Sequence, residues 1–200
     1  NLCTLISYGE KISKISQLSD LEIYNKIDVL MLPEAKNKQL DLFINSILAS
    51  AISYNYQLLD STFKSAIHKI GLYKCYTDVI LPSLVKMDLL WGKSQIIPSQ
   101  GHFVSNFFRL KLFSAIDSIE LPNENSKNFL LFLPENEEHE IGLLFAYYLI
   151  RNAGHNVVYL GQNVPAANIE SSIKEIAPDV LLLFVVGSWF KDELKPLIDL

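Results

Sequence analysis

Hydrophobic residues follow two regimes along the chain. Between Lys38 and Ile119 they recur every three to four residues. Past Pro122 they gather into short unbroken runs. The first regime predicts helices. Leu40, Phe43, Ile44, Ile47 and Leu48 mark one over Lys38 to Tyr54. Leu59, Phe63, Ala66, Ile67 and Ile70 mark a second over Tyr56 to Ile70, ended by Gly71. A third spans Tyr73 to Trp91 with a kink expected at Pro82, and a fourth spans Ser99 to Ile119. Short connections between four such helices predict an antiparallel bundle.

The second regime predicts an α/β layer. Phe129 to Leu133 has the length and composition of a buried strand, and a polar stretch, Pro134 to Glu140, follows it. Ile141 to Arg151 is helical in pattern and is closed by Gly154, after which Val157 to Leu160 reads as a second strand broken by Gly161 to Pro165. Ile169 to Ile176 reads as another crossover helix, Val180 to Val186 as a third strand, and Trp189 to Leu200 as the start of a further helix. Strand, helix, strand in this order is half of a doubly wound parallel unit. The expected fold class is therefore α plus α/β: a four-helix bundle, then a Rossmann-like (flavodoxin-like) domain. A complete five-stranded domain needs about 50 to 70 more residues, so the α/β part is expected to be truncated. The expected divisions are residues 1–37, 38–121 and 122–200.

Composition narrows the function classes. Half of the 200 residues are hydrophobic, enough for a sizeable core, and the net charge of −5 argues against a nucleic-acid surface over the chain as a whole. Cys3 and Cys75 are far apart, which excludes a disulfide scaffold and suits a reducing cytoplasm. No apolar run approaches the roughly 20 residues of a membrane span, and no signal peptide is visible at Asn1-Leu2-Cys3, so no membrane partner is expected. The start lacks an initiating Met, and the chain is expected to be a segment of a longer one. Serine-nucleophile order, phosphate loop and zinc spacing are all missing from the sequence, and His68 and His155 read as surface and turn residues.

Candidate chemistry gathers in the loop after the first strand, where parallel sheets place ligands. It reads Glu137-Glu138-His139-Glu140-Ile141-Gly142. An imidazole can offer one nitrogen to a metal while the other donates to a carboxylate that fixes the tautomer. Gly142 permits close approach of a bulky ligand. Taken alone, the triplet also fits a solvated acidic turn.

Acid-x-His-x-x-Gly after a strand, then a helix, then Leu160-Gly161-x-x-Val164-Pro165, resembles the cobalamin-binding domain family. The resemblance implies His139 as the lower axial cobalt ligand, Glu137 as its hydrogen-bond partner, Gly142 under the corrin, and Gly161 and Val164 in the next sheet-edge loop. A second string, Trp91, nine residues, then Gly101-His102, resembles the helical cap of MerR-like regulators whose sensor is a cobalamin domain. There the resemblance implies Trp91 and His102 over the upper face of the cofactor. Leu2 to Ser19, with Leu5, Ile6, Gly9, Ile12, Ile15 and Leu18, also resembles the last helices of MerR-type DNA-binding domains; it fits equally an amphipathic lead-in. Asp20 to Asn37 reads as a linker.

Three positions depart from the pattern. Gly101 replaces the cap's Glu, Gly92 stands where light-sensing members carry His, and Phe184 stands near a strand-end Ser, for which Ser188 is the candidate substitute. The resemblance implies a non-enzymatic, homo-oligomeric transcription regulator that binds cobalamin, as adenosyl- or methylcobalamin, between cap and α/β domain, with a possible response to light and with DNA contacted through a missing N-terminal domain. Two alternatives stay open: a corrinoid carrier of a methyltransferase, and a cofactor-free interaction module.

One prediction follows from charge alone. These 200 residues, being acidic, bind DNA without appreciable affinity, since phosphate binding needs clustered basic charge. Salt-sensitive retardation of DNA by this chain in a mobility-shift assay contradicts it.

Overall fold

Residues 38–120, 122 and 126–186 are described by the structure, a computed structural model. The expected N-terminal helices, the linker, Ser188 and the helix after Trp189 lie outside the described residues. The chain divides into two units, residues 1–106 and 107–200, and the division falls within a helix.

In the first unit, α1 spans Lys38–Ser53, α2 Tyr56–Cys75 and α3 Leu81–Gly92, and α4, Pro98–Asp117, begins there. Asn55 caps α2 by accepting the Leu58 amide at 3.0 Å. Gly71 (φ 76°, ψ 165°) interrupts α2 as its lack of a Cβ allows, yet the chain resumes its helix for one more turn. The kink expected at Pro82 takes another form. A π-helical turn, Tyr76–Ile80, precedes it, and the Leu81 amide reaches back to the Tyr76 carbonyl. One extra residue in the turn realigns the hydrogen-bond ladder just where proline interrupts it. Ile47, Leu59, Ala66, Val79, Ile80 and Val104 are fully or almost fully buried. The first turns of α4 are tied to the end of α1: Tyr54 Oη meets Ser99 Oγ at 2.6 Å, and Gln100 Nε2 donates to the Ile52 carbonyl. The predicted four helices over Lys38 to Ile119 are present, and that stretch contains no strand.

In the second unit, the end of α4 is followed by β1 (Asn128–Pro134), α5 (Glu140–Asn152), β2 (Asn156–Val164), α6 (Ala166–Ile176) and β3 (Val180–Leu183). The sheet is parallel with order β2-β1-β3, so the first strand is central and the two crossovers run to opposite sides of it. β1 is buried on both faces, which explains its unbroken apolar run. On one face Leu131 and Leu133 pack with Leu143 of α5; on the other Leu130 and Phe132 pack with Ile169 of α6.

Two strands differ from expectation. β2 does not break at Gly161. It continues to Val164 through irregular pairing, with Leu131 opposite Tyr159 but Phe132 opposite Gly161, and the extra residue is absorbed by Gly161 at φ 82°. β3 ends at Leu183 instead of Val186, because the Val186 amide leaves the ladder and donates to a carboxylate of the β1–α5 loop. Among the described residues, no helix is long and apolar enough to cross a membrane.

Leu131→Ala removes a fully buried side chain from the face shared with α5 and is expected to cost about 2–5 kcal/mol. Urea unfolding checks this through a lower midpoint at unchanged slope; Leu110→Ala, at a position 59% exposed, is expected to leave the midpoint nearly unmoved.

Candidate functional site

The β1–α5 loop opens with Pro134, whose carbonyl accepts the Glu137 amide at 3.0 Å and closes a turn with Asn136 at φ 66°. This turn sends the Glu137 side chain inward, where it is 2% exposed. Its Oε1 accepts the amides of Glu138 (2.9 Å) and His139 (3.0 Å) and lies 2.5 Å from His139 Nδ1, while its Oε2 accepts the Val186 amide at 2.8 Å. Burial, the largest influence, pushes this carboxyl up. The amides of Val186 and His139 and the imidazole outweigh it and hold the group below the usual carboxylate range.

His139 itself is open, its side chain 66% exposed. With Nδ1 turned to Glu137, the ring presents Nε2 outward, the tautomer that a carboxylate partner selects. The backbone at His139 (φ −76°, ψ 63°) has inverse γ-turn values, and the Glu140 amide donates to the Glu138 carbonyl across it at 2.8 Å. α5 starts immediately after.

Glu140, first residue of α5, is also buried, but it faces other partners. Its Oε2 lies 2.5 Å from Arg109 Nε, and its Oε1 accepts the Tyr159 hydroxyl at 2.6 Å. A carboxylate in the first turn also meets the positive end of the helix. Burial first, then the neighbouring Glu140 carboxylate, raise the Tyr159 phenol far above its ordinary value. Tyr159 stacks on Tyr147 and meets Phe113 edge-on, and Arg109 lies over the Phe113 ring.

The structure thus brings Glu137, His139 and Gly142, which is in the first turn of α5, to one end of β1. Gly161 lies beside them: a Cβ there would stand 3.9 Å from Glu140 Oε1. Asn163, at φ 58°, accepts the Asn136 amide through its side chain at 2.9 Å and fastens the β1–α5 loop to the end of β2. Val164 is opposite Pro134 and packs against the Leu130–Phe132–Ile169 face. Phe184 packs on the other face, with Leu131, Leu133 and Leu143. Trp91 and His102 belong to the helical unit, Trp91 in the last turn of α3 and 57% exposed, His102 exposed in the first turns of α4. Space around Gly101 is open, so the carboxylate missing there is a change of chemistry that packing does not force. Arg109, Glu140, Tyr159 and the Val186 amide were not anticipated. Only Glu140 left a signal in the sequence, an acid at a helix start.

No family model matches the chain. It is 29% identical over 143 residues to the HTH-type transcriptional repressor CarH of Myxococcus xanthus, covering 72% of this chain and 47% of that protein. To the repressor CarA of the same organism it is 28% identical over 101 residues, 50% of this chain and 35% of that protein. The chain thus spans half or less of the length of the curated relatives it matches. Among solved structures, the methanol:cobalamin methyltransferase complex MtaBC of Methanosarcina barkeri aligns with TM-score 0.39 and 16% identity, over 97% of this chain and 74% of that one. A cobalamin-binding protein of Desulfitobacterium hafniense DCB-2 aligns with TM-score 0.37 and 16% identity, over 78% and 75%. The resemblance to MerR-like regulators with a cobalamin-binding sensor, drawn from the Trp91 and Glu137–Gly142 strings, is matched by the similarity in sequence to CarH and CarA.

Because the folded Glu137 carboxyl titrates below its ordinary value of 4.5, its contribution to stability is complete above that pH and disappears as pH falls through the lowered value. Glu137→Gln is therefore expected to be less stable than wild type at neutral pH, with the gap closing in acid. Urea unfolding of both proteins from neutral pH down into acid checks it; a gap independent of pH counts against the assignment.

Proposed function

We propose that the chain is the corrinoid-sensing part of a transcriptional repressor of the CarH and CarA kind. The observation that carries the proposal is the pairing of a buried Glu137 carboxylate with an exposed His139 imidazole at the carboxyl end of β1. The donor set fits the group. Among the described residues no cluster of three or more His, Cys, Asp or Glu could hold a bare ion. A single oriented imidazole suits a metal whose remaining positions are filled by a macrocycle.

In this reading His139 would hold the corrinoid cobalt through Nε2, and Glu137, accepting from Nδ1–H, would fix the tautomer that leaves Nε2 free. Gly142, in the first turn of α5, and Gly161 and Val164, near the end of β2, are assigned to the surroundings of that ligand. Trp91 and His102 are assigned a part in cofactor binding by the resemblance alone, and His139 would be the one protein ligand to the metal. When bound, the corrinoid would supply a cobalt centre capable of ligand exchange. The work of the protein is then a change of ligand and of assembly, not turnover. Such a change regulates DNA affinity if two states of the protein bind cofactor differently. DNA contact by residues upstream, a homo-oligomer and the choice between adenosyl- and methylcobalamin belong to the same proposal. A corrinoid carrier would use the same His139–Glu137 pair; the repressor reading is preferred because the curated relatives are repressors.

The test mixes the protein with hydroxo-, methyl- and adenosylcobalamin and separates free cofactor on a sizing column. Colour is expected to travel with wild type and to be lost from His139→Ala, while Glu137→Gln weakens retention by about 10–100-fold. Trp91→Ala is expected to keep the imidazole signature in the absorption spectrum and to alter the choice among the three cobalamins. If no form of cobalamin is retained, the cofactor-free module becomes the better account.

A further inference from the structure

Residue Glu140 stands next to the candidate ligand, and its carboxylate is held entirely from outside its own loop. Arg109 of α4 grips Oε2 and Tyr159 of β2 grips Oε1. Arg109 and Phe113 are one turn apart on α4, and both touch this pair, Arg109 through the carboxylate and Phe113 through an edge-on contact with the Tyr159 ring at 6.1 Å. His139 lies between two fixed points. On its N-terminal side, the Glu138 and His139 amides are bound to Glu137 Oε1. On its C-terminal side, the Glu140 amide closes the γ-turn onto Glu138. A residue at the centre of so tight a turn has its side-chain direction set by both neighbours, and here the second neighbour answers to α4.

We propose that Arg109 and Tyr159 are positioning residues for the His139 imidazole, acting through Glu140, and that the C-terminal half of α4 thereby reports and controls ligation at His139. This rests on the corrinoid reading above and deepens it by naming a route for regulation. Coupling of this kind is reciprocal: whatever displaces α4 weakens the ligand, and gain or loss of the ligand biases α4. The route needs no change of charge, only the loss or retention of two directed bonds to one buried carboxylate.

The experiment uses the whole chain labelled with ¹⁵N-histidine, as wild type and as the variants Tyr159→Phe, Arg109→Met and Arg109→Lys. Tyr159→Phe deletes only the hydroxyl and leaves the ring against Phe113 and Tyr147, so it reports even if Arg109→Met fails to fold. Two quantities are read: the ring tautomer of His139 by NMR in the cofactor-free protein, and the affinity for hydroxocobalamin with its imidazole-ligated spectrum. Wild type is expected to hold the Nδ1–H tautomer. Tyr159→Phe and a folded Arg109→Met are expected to show a rising share of Nε2–H and to bind hydroxocobalamin about tenfold more weakly, in the range of outer-shell changes. Arg109→Lys is expected to recover part of both. A Tyr159→Phe protein with wild-type tautomer and wild-type affinity overturns the inference while leaving the corrinoid reading intact. A wild type that binds hydroxocobalamin without imidazole ligation overturns that reading and this inference with it.

Discussion

A carboxylate carried into a protein interior loses several kcal/mol of hydration unless donors replace the water. At Glu137 four N–H groups do so: the amides of Glu138, His139 and Val186 and the imidazole of His139. The rest of the α/β unit's mouth is arranged around this requirement. The loop turns at Asn136 to deliver the side chain inward, and β3 gives up its last three expected residues, Phe184 to Val186, with the Val186 amide reaching Oε2. The same bonds fix the ring of His139 with Nε2 outward. One electrostatic necessity therefore supplies both the local architecture and the directed nitrogen.

Glu140 presents the same problem three residues later and meets it differently. Its partners come from α4 and β2, with Arg109 supplying the countercharge and Tyr159 a hydroxyl donor. Two buried carboxylates so close in sequence would repel if they shared one donor set. Because each has its own, His139 is held between two independent anchors, one tied to the end of β3 and the other to α4. The orientation of the imidazole is thus a property of three elements beyond its own loop.

Much of this fold was legible in the sequence. The run Phe129 to Leu133 has the length and composition of a strand covered on both faces, and the spacing of Phe43 and Ile47, and of Leu59 and Phe63, is helical. Glu137 and His139 were legible because acid and base are neighbours in the chain, so their contact needs little tertiary information. What failed to show were departures of backbone hydrogen bonding. Val185 and Val186 have strand composition, and composition does not say whether an amide joins a ladder or a carboxylate. Gly161 reads as a break, but a positive φ also makes a bulge that lets β2 continue. Pro82 predicts a disturbed helix without choosing between a kink and a π-turn. Arg109 and Tyr159 are far from Glu140 along the chain, and nothing in their local surroundings marks them as its partners.

The central claim is that a single protein imidazole, oriented by Glu137, ligates a corrinoid cobalt. Electron paramagnetic resonance of the protein with reduced, cobalt(II) cobalamin tests it directly, because the nucleus of the axial nitrogen splits the cobalt lines. Protein labelled with ¹⁵N-histidine is expected to convert the three-line nitrogen splitting into two lines, and His139→Ala is expected to abolish that conversion. A splitting that stays at three lines in the labelled wild type would show that the axial nitrogen comes from the cofactor's own base, and would contradict the account.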